Sequence, residues 1–221
     1  GIDALASALD FTGPRDTVVI SDFEFPTNAQ IWYAQARRGA RIVRVMRDAD
    51  GHISPEAFAE AIDERTALVA ITQVCYLNGR RLDVEAITRL AHQRGARVMV
   101  DCYQAVGARH WDVARCPVDF LAGGMLKYLL GTAGIGFFYA RAEHIAALTP
   151  SHTGWFAQAD VLAMDSTGNH PSPTARRFEA GTPPVPSSYM AQAGLELLLS
   201  VGTRAIEPRV EALTGRCIER L

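Results

Sequence analysis

Short apolar runs alternate with amphipathic helical patterns along most of this chain, and this alternation constrains the fold more than any other feature. The runs typical of strands cover residues 17–21, 41–45, 67–73, 97–101, 119–123 and 135–140. The helical patterns cover about 28–38, 55–62, 84–94 and 143–148. Because strands that alternate with helices form parallel sheets covered on both faces, the sequence predicts an α/β fold with a mostly parallel sheet sandwiched by helices.

The alternation stops near Pro150. From Pro150 to Pro186 the residues Ser, Thr, Gly, Asn and Pro dominate, and a loop of this length in a compact domain is usually functional or intersubunit. Helical patterns return at 188–199 and 203–221. We therefore predict a large domain over 1–186 and two linking helices over 187–221 that lead toward a second domain.

Composition and charge exclude several classes of protein. The 221 residues are 48% hydrophobic and 21% charged, which is typical of a globular chain. A net charge of −2 with scattered arginines provides no basic surface for nucleic acid or anionic lipid. No apolar run approaches the roughly 18 residues of a membrane span, and no signal-peptide pattern opens the chain. The four cysteines form no C-x-x-C pair, so we interpret them as reduced thiols of a soluble cytoplasmic protein.

Two polar residues stand at strand ends, where ligands of parallel sheets bind. Asp101 closes the apolar run that begins at Val98, and an isolated Asp in this position often caps the next turn instead. Lys127 follows Asp101 by 26 residues, among glycines and apolar residues. Desolvation there favours the neutral amine, which is nucleophilic toward carbonyls as Schiff-base chemistry requires. The alternative is a surface lysine whose ammonium reaches water.

Asp101 and Lys127 together match the needs of a pyridine-ring cofactor. The carboxylate pairs with the protonated ring nitrogen and keeps the ring an electron sink, and the lysine forms the imine. Gln104, three residues after Asp101, is placed to hydrogen-bond the phenolic oxygen of the same ring, with a solvated loop amide as the alternative.

In these residues and their surroundings the sequence resembles the class V aminotransferase family of fold-type I pyridoxal-phosphate (PLP) enzymes. That group includes cysteine desulfurases, selenocysteine lyases, kynureninases and isopenicillin N epimerase-like proteins. The stretches that carry the resemblance are 18–28, 100–107, 119–136 and 177–183. The resemblance implies the PLP large-domain fold, a PLP cofactor, an amino-acid or amine substrate, and an aminotransferase, lyase or epimerase type of reaction.

The resemblance also implies a role for each site residue. Lys127 would form the Schiff base and later carry protons, Asp101 would pair with the ring nitrogen, and Gln104 with the ring oxygen. Phe25 falls where an aromatic ring stacks on the cofactor, with a core Phe as the alternative. Thr182 and Trp155 match positions that reach the cofactor phosphate from the neighbouring subunit. A homodimer is therefore expected.

The chain departs from the family pattern in three places. Many members place Ser and His shortly before the lysine, whereas this chain has Gly124, Met125 and Leu126, so phosphate contacts must come from elsewhere. Tyr76 stands where desulfurases tend to carry Asn, which is closer to the kynureninase-like members. The amino-terminal segment with its phosphate-cradling turn and the carboxy-terminal domain have no counterpart here. We therefore expect a fragment that lacks both ends, with a large domain incomplete at its amino terminus.

These departures leave a second hypothesis open, a non-catalytic or truncated PLP-fold protein that serves as a binding or regulatory module.

The sequence contains none of the patterns that are typical of other common functional sites. The six histidines form no paired-ligand spacing, so no metal site is expected. Neither a phosphate-binding P-loop nor a nucleophile elbow is present. The glycines of 131–136 precede a strand instead of following one, which excludes an NAD-type loop.

Overall fold

A computed structural model describes residues 1–220 and contains one six-stranded sheet. The strands run in the order β2-β1-β3-β4-β5-β6; the first five are parallel and β6 is antiparallel to β5. Their bounds are β1 Thr17–Ser21, β2 Arg41–Val45, β3 Thr66–Thr72, β4 Arg97–Asp101, β5 Phe120–Gly124 and β6 Gly136–Ala140. The predicted mostly parallel sheet is confirmed, and each predicted strand matches within one residue.

Seven α-helices accompany the sheet in residues 1–220. They are α1 Ile2–Ala8, α2 Pro26–Ala34, α3 Pro55–Ala61, α4 Val84–Gln93, α5 Ala142–Ile145, α6 Val185–Val201 and α7 Thr203–Ile218. Side-chain caps begin two of them: the Ser54 hydroxyl accepts a hydrogen bond from the α3 backbone, and the Asp83 carboxylate does so for α4.

Four helix predictions need correction at their ends. The helices predicted over 188–199 and 203–221 are α6 Val185–Val201 and α7 Thr203–Ile218. The helix predicted over 28–38 begins at Pro26, because proline is favoured at the first helical position, and it tightens into a 3₁₀ turn over Gln35–Arg38. Gly39 ends this turn with a φ of 97°, in the left-handed region that suits glycine. The helix predicted over 143–148 is the single turn α5.

The sheet separates two hydrophobic cores. Along β3 every residue is buried, and Leu68 and Ala70 face one core while Val69 and Ile71 face the other. Trp32 of α2 packs into the first core and Ile87 of α4 into the second. Burial on both faces explains why the central strands are continuous apolar runs instead of alternating ones.

The order of the strands creates a crevice at one edge of the sheet. The chain moves from β1 outward to β2 and then crosses to β3 on the other side of β1, so the connections after β1 and β3 lead in opposite directions. Ligands of open parallel sheets bind at such a switch point, beyond the carboxyl ends of the strands. β4 and β5 extend the same edge, with Asp101 paired to Thr72 and to Ala122.

The aperiodic segment after Pro150 is an ordered loop with two 3₁₀ turns, Trp155–Ala157 and Ala175–Phe178. The buried Arg177 guanidinium anchors it by donating to the backbone carbonyls of Ser172, Ile145 and Leu148. This network gives Arg177 a structural role.

The two terminal helices follow this loop. α6 packs on the main body through Ala191 and Leu198, against Met125 and Leu129. The boundary between a large domain over 1–186 and linking helices stays a prediction; it falls within the first turn of α6, and Leu221 lies outside the described residues. Within residues 1–220 no helix is both long and apolar enough to cross a membrane.

Candidate active site

A cavity of about 360 Å³ opens at the carboxyl edge of the sheet. Four residues that the sequence singled out line it together: Phe25, Asp101, Gln104 and Lys127. The remaining lining residues are Thr27, Asn28, Thr72, Tyr76, Tyr103 and Leu126. This volume lies within the range of small-molecule sites, about 300–1,000 Å³.

Asp101 lies at the end of β4 and is 7% exposed. One carboxylate oxygen accepts a hydrogen bond from the Tyr103 backbone N–H at 2.8 Å, and the other accepts one from the Asn28 side-chain amide at 2.5 Å. Burial raises the pKa of Asp101, although these two hydrogen bonds and the charge of Lys127 act against the increase. Asp101 is therefore a buried carboxyl group that a cationic ligand in the cavity would hold in its ionised form.

Asn28 and Glu24 are site residues to which sequence reasoning gave no role. Glu24 is buried behind the cavity, where its carboxyl group accepts hydrogen bonds from the Ser21 hydroxyl at 2.6 Å and from the Thr72 backbone and hydroxyl, each at 2.8 Å. Desolvation, with a smaller effect from the nearby Asp101, raises the pKa of Glu24 to about 7. Glu24 thus joins the ends of β1 and β3 at the switch point.

Lys127 lies in the tight turn that follows β5. The Gly131 backbone N–H donates to the Met125 carbonyl at 2.7 Å, and the Leu130 N–H donates to the Lys127 carbonyl at 3.0 Å. Leu130 has a φ of 59°, an uncommon conformation for a residue with a side chain. The turn directs the half-buried Lys127 side chain into the cavity, where its Nζ atom lies 4.9 Å from the centre of the Tyr103 ring.

Phe25 lies at the amino terminus of α2 and is 44% exposed. Its ring contacts Tyr76 edge to face, with ring centres 5.2 Å apart. Both rings line the cavity, so Phe25 belongs to the wall of the site and not to the core. The remaining lining residues combine hydroxyl, amide and aromatic side chains with the aliphatic Leu126.

Thr182 and Trp155 do not line this cavity within the described part of the chain. Thr182 is exposed, and the Trp155 ring is 43% exposed and packs edge to face against Phe156. Both lie in the loop that precedes α6. Their predicted action on a neighbouring subunit stays a prediction.

The chain matches the family described as aminotransferase class-V over residues 1–221. An uncharacterized aminotransferase of Bacillus subtilis is 33% identical over 216 residues, which cover 98% of this chain and 56% of that protein. A kynureninase of Deinococcus radiodurans is 33% identical over 218 residues, which cover 97% of this chain and 51% of that protein. The chain spans about half the length of the curated relatives it matches. It belongs to the aminotransferase class V family.

Solved structures agree with this assignment. The apo structure of a cysteine desulfurase from Thermococcus onnurineus matches with a TM-score of 0.86 and 26% identity, over 99% of this chain and 54% of that one. A mutant of the protein C-DES with glycine covalently linked to the PLP cofactor matches with a TM-score of 0.83 and 25% identity, over 97% and 56% of the two chains. The predicted fold of the PLP-binding large domain is confirmed. Enzymes of this family use PLP.

The donor set of the cavity fits PLP. A primary amine, a buried carboxylate, a carboxamide and an aromatic ring face one space of suitable size. Each carboxylate oxygen of Asp101 accepts one hydrogen bond from the chain. Each oxygen therefore keeps a lone pair that can accept a hydrogen bond from a ring N–H. Among residues 1–220 no group of three or more His, Cys, Asp and Glu side chains could hold a metal ion.

One strong signal for the site is present in the sequence itself. Lys127 is the only lysine of the chain, and every other residue in the combined Lys and Arg count is an arginine. Arginine keeps its charge and cannot serve as an amine nucleophile. The single lysine therefore marks the position where a reactive amine is present. Glu24 and Asn28 carry no comparable local signal, because Thr72, which bonds Glu24, and Asp101, which bonds Asn28, lie far away in the sequence.

Proposed function

We propose that this chain binds PLP as a Schiff base with Lys127 and contributes to the conversion of an amino acid or a related amine. The main support is that one cavity at the switch point of the sheet is lined by all four predicted residues: Lys127, Asp101, Gln104 and Phe25. When bound, PLP supplies an aldehyde that captures amines and a protonated ring that withdraws electrons from the captured substrate.

Asp101 would pair with the ring nitrogen of the cofactor. Its carboxylate is held by the Asn28 amide and the Tyr103 N–H, which fix its orientation. Burial raises the pKa of Asp101, and a cationic ring N–H placed against it would favour the ionised form. Such a buried charge pair keeps the proton on the ring.

The Lys127 amine would hold the cofactor and would also move a proton at its own Nζ atom. The flexible side chain can reach several atoms from the turn after β5. Gln104 would donate a hydrogen bond to the ring oxygen, and Phe25 would cover one ring face. A cofactor that fills the cavity would displace water from these groups, which would strengthen their electrostatic interactions.

We further propose a homodimer in which Thr182 and Trp155 of one chain reach the phosphate end of the partner's cavity. Their exposure in the loop before α6 supports this role. The absence of Ser and His before Lys127 also leaves room for phosphate contacts from elsewhere. The four cysteines are free in the described residues, which supports the proposed cytoplasmic location.

An absorbance titration tests the proposed function. The purified chain with added PLP is expected to gain a band near the visible edge that borohydride bleaches. Lys127→Ala is expected to lose this band, because the only side-chain amine is gone. Lys127→Arg is the matched control, since it keeps the positive charge but cannot form the imine.

Two results would count against the proposal. A band that persists in Lys127→Ala would contradict the assignment of Lys127. A folded native chain that gains no band at any PLP concentration would favour the second candidate, a non-catalytic PLP-fold module.

A further inference from the structure

Tyr103 contacts both chemical groups of the site. Its backbone N–H donates to Asp101 at 2.8 Å, and its ring lies beneath the Lys127 ammonium with a centre-to-Nζ distance of 4.9 Å. A cation within about 6 Å of an aromatic ring centre is attracted by the negative face of the ring. Within residues 1–220 the Lys127 amine takes part in no hydrogen bond or salt bridge, so the groups that act on it are the face of the Tyr103 ring and, at longer range, the charge of Asp101.

Gly124 provides the space for this ring. A Cβ atom at position 124 would overlap the ring carbons and the hydroxyl oxygen of Tyr103. The φ of Gly124 lies outside the left-handed region, so any residue could adopt its backbone conformation. Lack of space, and not backbone strain, is therefore the reason that glycine is needed here.

A second glycine holds the two turns together. Gly107 has a φ of 92°, and a Cβ atom there would overlap the Tyr128 carbonyl oxygen. The turn after Asp101 and the turn that carries Lys127 thus touch through their backbones. This contact holds the turn that carries Tyr103 close to the turn that carries Lys127.

We propose that Tyr103 is a positioning residue that holds the Lys127 amine at the base of the cavity through the face of its ring. The proposal also explains the glycine at position 124, because the Tyr103 ring occupies the space that a side chain there would need. The hydroxyl of Tyr103 is not required for this role, whereas the ring is.

The single lysine makes a direct spectroscopic test possible. Reductive methylation with ¹³C-formaldehyde labels the Lys127 amine and the α-amino group of the chain, and the side-chain signal is the one that Lys127→Arg lacks. In the folded chain the Lys127 methyl signal is expected upfield of its position in urea, because it lies over the Tyr103 ring. Tyr103→Phe is expected to keep this displacement, and Tyr103→Leu to lose it.

A native signal that coincides with the signal in urea would overturn the proposal without any variant. Retention of the displacement in Tyr103→Leu would overturn it as well. If Tyr103→Leu does not fold, Gly124→Ser serves instead, since its side chain must push the ring away and abolish the displacement. The double variant Gly124→Ser/Tyr103→Leu is then expected to be more stable than Gly124→Ser, and equal or lower stability would contradict the packing relation.

The consequence for PLP rests on the proposed function. Tyr103→Leu is expected to take up PLP more slowly than the native chain, while Tyr103→Phe keeps the native rate. Loss of uptake in both variants to the same extent would assign the effect to the hydroxyl and contradict the role of the ring. The NMR measurement needs no PLP, so a failure of the proposed function leaves the test of Tyr103 intact.

Discussion

Two regions at opposite edges of the sheet bury a carboxylate, and they use it differently. At the amino edge, Asp119 is 3% exposed and lies 2.8 Å from His92 Nε2 and 2.6 Å from His144 Nε2, and it accepts a hydrogen bond from the Val98 N–H at 2.7 Å. At the carboxyl edge, Asp101 is 7% exposed and has two partners from the chain and an open cavity beside it.

Burial alone does not identify a functional carboxylate. Asp119 joins β4, α4 and α5 with partners on both of its oxygens, which is how a buried polar network stabilises a fold. Asp101 keeps unused hydrogen-bonding capacity that faces a space of ligand size. Unused hydrogen-bonding capacity next to a cavity distinguishes Asp101 from Asp119.

The largest effect on the free energy of unfolding is expected from substitution of Asp119, which bonds His92, His144 and the Val98 backbone. Asp119→Ala removes the acceptor of the buried Val98 N–H and the partner of two histidines, so we expect the free energy of unfolding to fall by about 3–5 kcal/mol. Urea unfolding measures this loss. Asp119→Asn, which keeps one acceptor oxygen, should lose less, and a loss below about 1 kcal/mol in Asp119→Ala would contradict a structural role.

A smaller effect on the free energy of unfolding is expected from the titration of Glu24, which is buried behind the cavity. Glu24 has a pKa of about 7 in the folded chain and an ordinary value of 4.5. Between these values the folded chain retains a proton that the unfolded chain releases, so the contribution of Glu24 is fully present below about pH 4.5 and is lost as pH rises through about 7. The decline should be on the order of 3 kcal/mol.

Glu24→Gln is the matched control for this pH dependence, because its side chain resembles the protonated acid and does not titrate. The difference in stability between native chain and variant should therefore change across this pH window. A difference that stays constant from pH 4 to pH 8 would exclude a raised pKa of Glu24.

The smallest of the three effects on stability is expected at Asp101. Asp101→Asn can still accept the Tyr103 N–H and removes a buried charge, so stability should stay within about 1 kcal/mol of the native value. Loss of the charge opposite the ring nitrogen should weaken PLP binding by roughly 10- to 100-fold, as for a charge-assisted hydrogen bond. Equal PLP affinity in Asp101→Asn and the native chain would contradict the proposed role of Asp101 as the partner of the ring nitrogen.

The strands could be predicted closely because each is a short run of apolar and β-branched residues, and the central ones are buried on both faces. Thr17–Ser21, Arg41–Val45 and Arg97–Asp101 agree with the sequence pattern at both ends. The strand at Gly136–Ala140 was located, but its antiparallel direction was not predicted, since an apolar run carries no information on direction. Helix ends were less accurate, because α2 depends on a proline start and a 3₁₀ end that periodicity does not indicate.

The site was predictable only in part. Asp101 and Lys127 could be found because Asp101 ends one apolar strand and Lys127 lies shortly after the next one. The family resemblance then indicated that both residues bind the same cofactor. Glu24, Asn28 and Tyr103 could not, because their roles arise from contacts across the fold, such as the Asn28 amide on Asp101 and the Tyr103 ring beneath Lys127. Position along the chain does not reveal such contacts.

Mass spectrometry of the borohydride-reduced chain tests the proposed function most directly. After incubation with PLP and reduction, the expected product carries one phosphopyridoxyl group on the peptide that contains Lys127, the only lysine. Asp119→Asn should give the same product if it folds, and Asp101→Asn should give less of it at limiting PLP. Modification confined to the α-amino group of the chain, or none at all in a folded chain, would contradict the assignment of Lys127 as the cofactor lysine.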